Sequence, residues 1–313
     1  RKIIGERYPD ATYVGRACYV RLSDMNRAKI QFVTGIVADQ YNALQKAITD
    51  NTNLETPLKQ AYAEFQSTHL DETTINNIHS DKWDGGKGFN PIGDSTNPFT
   101  GTIDGFSGER VFGISNLTIN RPEEDNVGLV AVAGTSGNAA GFGNVHLYDT
   151  AITGKNNVGT IAGTLQSGST ISWSEVSGKV TGSGENIGGF AGLASGSSIS
   201  YSSNYAAVDS KGTDGIETGT HVGGIAGMLN TNSTLKDVHN FGDISGAEDV
   251  GGLAGYVENS TIVGSTNAVN KFYNTYNNGT VKGTTNTGGI VGHAKGIYMY
   301  GVFNTNEDAP LSK

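Results

Sequence analysis

The sequence predicts a mainly β protein: a parallel β-helix or β-solenoid over residues 89–313, behind an N-terminal strand-and-helices region over residues 1–88. Three observations predict it. Composition changes abruptly near residue 80, a six-residue motif recurs along the remainder, and a Ser/Thr-rich segment follows most copies of that motif.

The change of composition sets the boundary. Of 46 Gly in 313 residues, only Gly5, Gly15 and Gly35 precede residue 81, and the net charge of −9 falls entirely on the later residues. Gly clusters in Trp83-Asp-Gly-Gly-Lys-Gly88 break any helix there, which places the boundary at about residue 88. The acidic balance argues against nucleic acid as a partner, since such binders need a basic face. No apolar run approaches the roughly 18 residues of a membrane span. With the single Cys18, no intramolecular disulfide framework or Cys-rich zinc site is available. Arg1 without a preceding Met reads as a processed or excised start.

In the first region, Thr12 to Leu22 has an extended pattern, with Cys18 as a small buried residue inside it. Ser23 or Asp24 caps an expected helix to about Asp50, whose Ile30, Val33, Val37, Tyr41, Leu44 and Ile48 form one apolar stripe. Thr56-Pro57 opens a second expected helix to about Ser67, and a third covers Asp71 to Ile78.

The second region repeats Val158-Gly-Thr-Ile-Ala-Gly163, Ile187-Gly-Gly-Phe-Ala-Gly192, Val222-Gly-Gly-Ile-Ala-Gly227, Val250-Gly-Gly-Leu-Ala-Gly255 and Thr287-Gly-Gly-Ile-Val-Gly292, with a degenerate copy from Val127. Copies start 28 to 37 residues apart, the period of stacked repeat architectures and short for a propeller blade. Ser169-Thr-Ile171, Ser197-Ser-Ile199, Ser233-Thr-Leu235 and Ser260-Thr-Ile262 supply a second strand per repeat. Fourth-position residues Val130, Ile161, Phe190, Ile225, Leu253 and Ile290 are expected to stack in a buried column, with the small fifth residue in a crowded place. The glycines are expected to supply positive φ and close backbone approach. At about 4.8 Å per coil, six repeats rise roughly 30 Å, and the segment before Val127 should add more.

These hexads resemble the bacterial GLUG motif. The lead-in segments Phe89-Asn-Pro-Ile-Gly93, Phe99-Thr-Gly-Thr-Ile-Asp-Gly105 and Ile114-Ser-Asn-Leu-Thr-Ile119 are similar to those of proteins carrying it. Such proteins include filamentous-haemagglutinin-like adhesins and the non-catalytic part of some immunoglobulin-A-cleaving metalloproteases. Over about residues 89–305 the resemblance implies a secreted bacterial surface β-solenoid; residues 1–80 resemble nothing named.

Chemistry is sparse. None of His69, His79, His146, His221, His239 and His293 has a second His within four residues, so no H-E-x-x-H zinc motif exists. His69, His79 and Asp81 are the weak metal candidate. A polysaccharide-cleaving β-helix would need carboxylates clustered on neighbouring coils. Asp209, Asp214 and Glu217 in one long loop, then Asp237, Asp243, Glu248 and Asp249, are the candidates, and their unequal offsets from the hexads give no vertical pair. Asp104 reads as an Asx-turn former. Calcium-binding nonapeptides are missing, so polar turn residues read as solvated. The sequons at Asn116, Asn232, Asn259 and Asn278 are what chance gives in so Asn- and Ser-rich a chain. Trp173, Tyr201, Tyr205, Phe272, Tyr273, Tyr276, Tyr298 and Tyr300 are the candidate binding groups, for sugars or a protein contact, or else fill the interior.

The resulting expectation is a non-enzymatic extracellular or cell-surface protein acting in adhesion or as a self-assembling fibre component, without catalytic, cofactor or metal residues. Its partners would be a glycan or host-surface ligand, or a second copy through residues 1–50, which otherwise cap their own chain. A polysaccharide-binding or polysaccharide-cleaving β-helix is the alternative.

Overall fold

The computed structural model describes residues 12–14, 17–19, 29–30, 80–107, 110–212, 215–265 and 274–305. Among them the chain is mainly β, and 21 strands join one sheet whose pairings are all parallel. The helices expected within residues 23–78 lie outside the described residues, with one exception. Lys29–Ile30, expected inside the first helix, is instead extended and pairs in parallel with Thr102–Ile103. The open main-chain edge of that strand offers hydrogen bonds that compete with local helix propensity. The extended segment from Thr12 is a short antiparallel pair, Thr12–Val14 with Ala17–Tyr19, and Cys18 lies in its second strand.

From residue 89 onward the chain returns to the same columns in every repeat. The first hexad positions pair as Val127, Val158, Ile187, Val222, Val250 and Thr287. The Ser/Thr-rich strands align Ile103, Phe142, Ile171, Ile199, Leu235, Ile262 and Met299. A further column holds Ile119, Ile152, Val180, Val208, Ile244 and Val281. All of these from Val127 and Ile103 to Val250, Ile262 and Val281 are buried, which makes one continuous apolar interior. The lead-in adds a repeat, as expected, since Ile92 and Phe99 pair with Val130 and Ala133. Seven rungs at about 4.8 Å per coil rise roughly 34 Å.

The fourth-position column forms from Ile161 through Phe190, Ile225 and Leu253 to Ile290, joined by main-chain hydrogen bonds of 2.8–3.0 Å. Val130 also donates to the Ile161 carbonyl, at 2.9 Å, but is out of register with the column. It pairs with Ala162, the fifth position, because the first copy is one residue shorter there.

The glycines work differently from expectation. No hexad glycine has positive φ; that conformation falls on the residue before each hexad, namely Asn126, Asn157, Asn186, His221, Asp249 and Asn286. Short polar side chains tolerate the left-handed region, and His is also enriched there. The sixth glycine is instead required by contact. A Cβ on Gly192, Gly227 or Gly255 would run into the backbone beside this left-handed residue one rung earlier.

Two polar ladders run along the stack. In the first, Asn157 donates to Asn126, Asn186 to Asn157, and Asn286 to Asp249, at 2.7–3.0 Å. In the second, the column of Ile114, Leu147 and Val176 becomes Asn204, Asn240, Asn277 and Asn304. Each Asn of that ladder from Asn204 to Asn277 donates through Nδ2 to the next Asn, and each also donates to a carbonyl two residues on. The third hexad glycine makes room for it: a Cβ on Gly189 would lie 2.6 Å from Asn204 Cγ. Where the column holds Val176, the third position is Thr160.

Candidate binding face

After each Ser/Thr-rich strand the chain turns a corner. The corner residues Asn144, Trp173, Tyr201 and Asp237 have φ of 51, 54, 51 and 52°. Asn and Asp adopt this conformation readily, but for a bulky side chain it is an outlier costing of order 1–3 kcal/mol. Trp173 and Tyr201 use it to project from successive rungs, where their rings stack 4.5 Å apart at 11°. Lys236 of the next rung places its ammonium 5.6 Å from the Tyr201 ring. Trp173 is 53% exposed.

Beyond the corner, strand alternation sends Ser202 and Asn204 inward and Tyr201, Ser203 and Tyr205 outward. Register then lines up His146, Glu175, Ser203, His239, Tyr276 and Phe303 on this side. Tyr205 stacks on Phe241 at 4.7 Å and 6°, Phe241 meets Tyr276 edge-on, and His239 lies 4.5 Å from Tyr276. Ser203 Oγ is 3.1 Å from His239 Nδ1. Burial, then the charge of Glu175, pushes the Tyr148 and Tyr205 phenols up, and burial does the same at Tyr276. These hydroxyls stay neutral donors at physiological pH. The arrangement is an aromatic surface with polar groups at its margins, suited to contact and hydrogen bonding.

The other sequence candidates are placed as follows. Asp209 lies in the strand Ala207–Ser210, not in a loop, and is paired to Lys179 at 2.9 Å and Lys211 at 3.4 Å, with Ser245 donating to it. These partners outweigh burial and hold its carboxyl below the usual range. Asp237 accepts from the Ser265 N–H and hydroxyl, and Asp243 from the Thr280 N–H. Asp249 meets His221 and His293, each at 3.4 Å. Glu217 and Lys211 face each other in an isolated antiparallel main-chain bridge across the loop, whereas Asp214 lies outside the described residues. Asp104 accepts from the Phe106 N–H, the expected Asx turn. Asp81 is exposed in a short 3-10 turn, and His69 and His79 lie outside the described residues. Among the described residues, no group of three or more His, Cys, Asp or Glu is placed to hold a metal ion. No described helix is long and apolar enough to cross a membrane.

Of the aromatic candidates, Trp173 meets Tyr201 at the corner, and Tyr205 and Tyr276 both meet Phe241 beyond it. Tyr298 and Tyr300 are exposed on the last described rung, and Phe272 and Tyr273 lie outside the described residues. His239, Phe241 and Glu175 belong to the face and were missed from sequence. For His239 and Phe241 the signal was the interior Asn they flank, Asn240, whereas Glu175 flanks Val176 and carried no such signal.

No family model matches the chain. Over 182 residues, 58% of the chain, it is 34% identical to halomucin of Haloquadratum walsbyi, and the chain spans 2% of that protein's length. A crystal structure from Bacteroides ovatus, provisionally assigned as an immunoglobulin A1 protease, is 16% identical. It covers 73% of this chain and 80% of its own, with a TM-score of 0.41.

Proposed function

We propose that the chain is a stretch of an extracellular β-solenoid that acts without catalysis, as an adhesive module making contact through its aromatic face. The observation that carries this reading is a pair of ring stacks, Trp173 on Tyr201 and Tyr205 on Phe241, held outward over three consecutive rungs. The return of every repeat to the same parallel columns supports the solenoid, and similarity to halomucin, by name a mucin, supports a place outside the cell. The carboxylates Asp209, Asp237, Asp243 and Asp249 serve as hydrogen-bond and ion-pair anchors between rungs, which favours a structural over an acid–base role. We take residues 1–50 as a cap on their own chain, in keeping with the pairing of Lys29–Ile30 with Thr102–Ile103.

Adhesion through one rigid face gains from multiplicity, because many weak contacts act together. Particles coated densely with the purified chain should be retained on a polysaccharide- or cell-coated surface that holds the single chain only weakly. Light scattering should meanwhile report a monomer. Ordered filaments in the absence of any surface would overturn this in favour of a self-assembling fibre.

A further inference from the structure

We propose that the free face of Trp173 is the floor of a carbohydrate subsite, with Asn144 and Asp104 as its hydroxyl-binding groups. This rests on the aromatic face being the contact surface. Tyr201 covers one face of the indole, so the other turns towards the preceding rung. There the corner residue is Asn144, whose main-chain N–H joins Ser172, the residue before Trp173. A third ring continuing the stack would lie at that level, and the chain supplies only a short amide. In the proposed subsite a pyranose, whose C–H face packs on an indole, takes the place of that third ring.

Polar groups stand at that level and on the rung before it. Asn144 Nδ2 donates to Asp104 Oδ1 at 3.2 Å, and the Phe106 N–H fixes that carboxylate at 3.0 Å. An amide and a carboxylate held together beside an aromatic face match the hydroxyl pairs on the rim of a sugar ring better than they match an apolar protein side chain. The backbone points the same way. Asn at this corner, as at Asn144, satisfies the left-handed conformation cheaply, so a Trp held there against strain and half exposed is poorly explained by folding.

The test is intrinsic fluorescence of the full chain in a Trp83→Phe background, which leaves Trp173 as the sole reporter. The probes are soluble hexasaccharides of β-1,4-glucose, N-acetylglucosamine, mannose and galacturonate. At least one should give a saturable change in emission. Followed by calorimetry, Trp173→Asn and Asp104→Asn should each weaken that binding about tenfold, as loss of a stacking or charge-assisted contact implies. Trp173→Asn should not lower the melting temperature. No saturable change with any probe, or equal binding by Trp173→Asn, overturns the subsite. If particles coated with the wild-type chain still adhere while sugars do not bind, the subsite fails and the adhesive face stands. If neither occurs, both fail.

Discussion

At the scale of single residues, the stack depends on a few side chains placed where others would cost more. Asn186 and His221 sit in the left-handed region before their hexads, and His221 Nδ1 lies 2.9 Å from Asn186 Oδ1. His221 also faces Asp249, Glu185, Glu248 and His293. Burial nevertheless pushes its pKa below the ordinary 6.5, with Asp249 opposing, and burial does the same to His239 on the aromatic face. The unfolded chain therefore binds protons first as pH falls. The stability these two groups contribute is present above 6.5 and is lost as pH drops towards their folded-state values. Urea unfolding should show a lower midpoint at about pH 5 than at about pH 7.5. In His221→Asn, which continues the Asn ladder, that difference should shrink. A midpoint that rises on acidification would contradict this assignment.

At the scale of the element, each hexad is a strand, a tight turn and a second strand, and its glycines mark where rungs touch. Gly227 lies against the backbone of Asn186 and Ile187, so Gly227→Ala forces main chain apart rather than shifting a flexible side chain. We expect a loss of roughly 1–3 kcal/mol by chemical denaturation, as for other overpacked sites. Gly215→Ala, where nothing lies within 4 Å, tests the other glycine role: its φ of +77° should make any loss one of backbone strain alone. Equal stability of Gly227→Ala and the parent would refute the contact.

Much of this element was legible in the sequence. The hexads and the Ser/Thr-rich strands gave the columns of Ile187 and Ile199, because the side chains that recur are the ones that stack. Val130 was misplaced because a one-residue deletion in the first copy leaves its spelling close to the others. The left-handed Asn, His or Asp stood before every hexad in plain view, yet positive φ was assigned to the glycines. The aromatic face was half legible. Trp173 and Tyr201 could be read as candidates, but which rings meet depends on register, and Tyr205 meets Phe241 through pairings 36 residues apart. Chain period does not fix that register, since insertions such as that between Ser210 and Thr220 change the spacing.

At the scale of the whole molecule, parallel stacking turns scattered residues into surfaces. The outward column of Leu193, Met228, Tyr256 and His293 lies on a different ladder from the aromatic face. This gives an internal control for the proposal that one particular face makes the adhesive contact. The decisive measurement is retention of chain-coated particles on a polysaccharide- or cell-coated surface under flow. It would compare the wild type, a face variant (Tyr201→Asn, Tyr205→Ser, Phe241→Ser) and a control variant (Leu193→Ser, Met228→Ser), each first shown to be folded by circular dichroism. The face variant should lose most of its retention and the control should keep it. Retention by the face variant equal to the wild type, or an equal loss in the control, would contradict adhesion through the aromatic face.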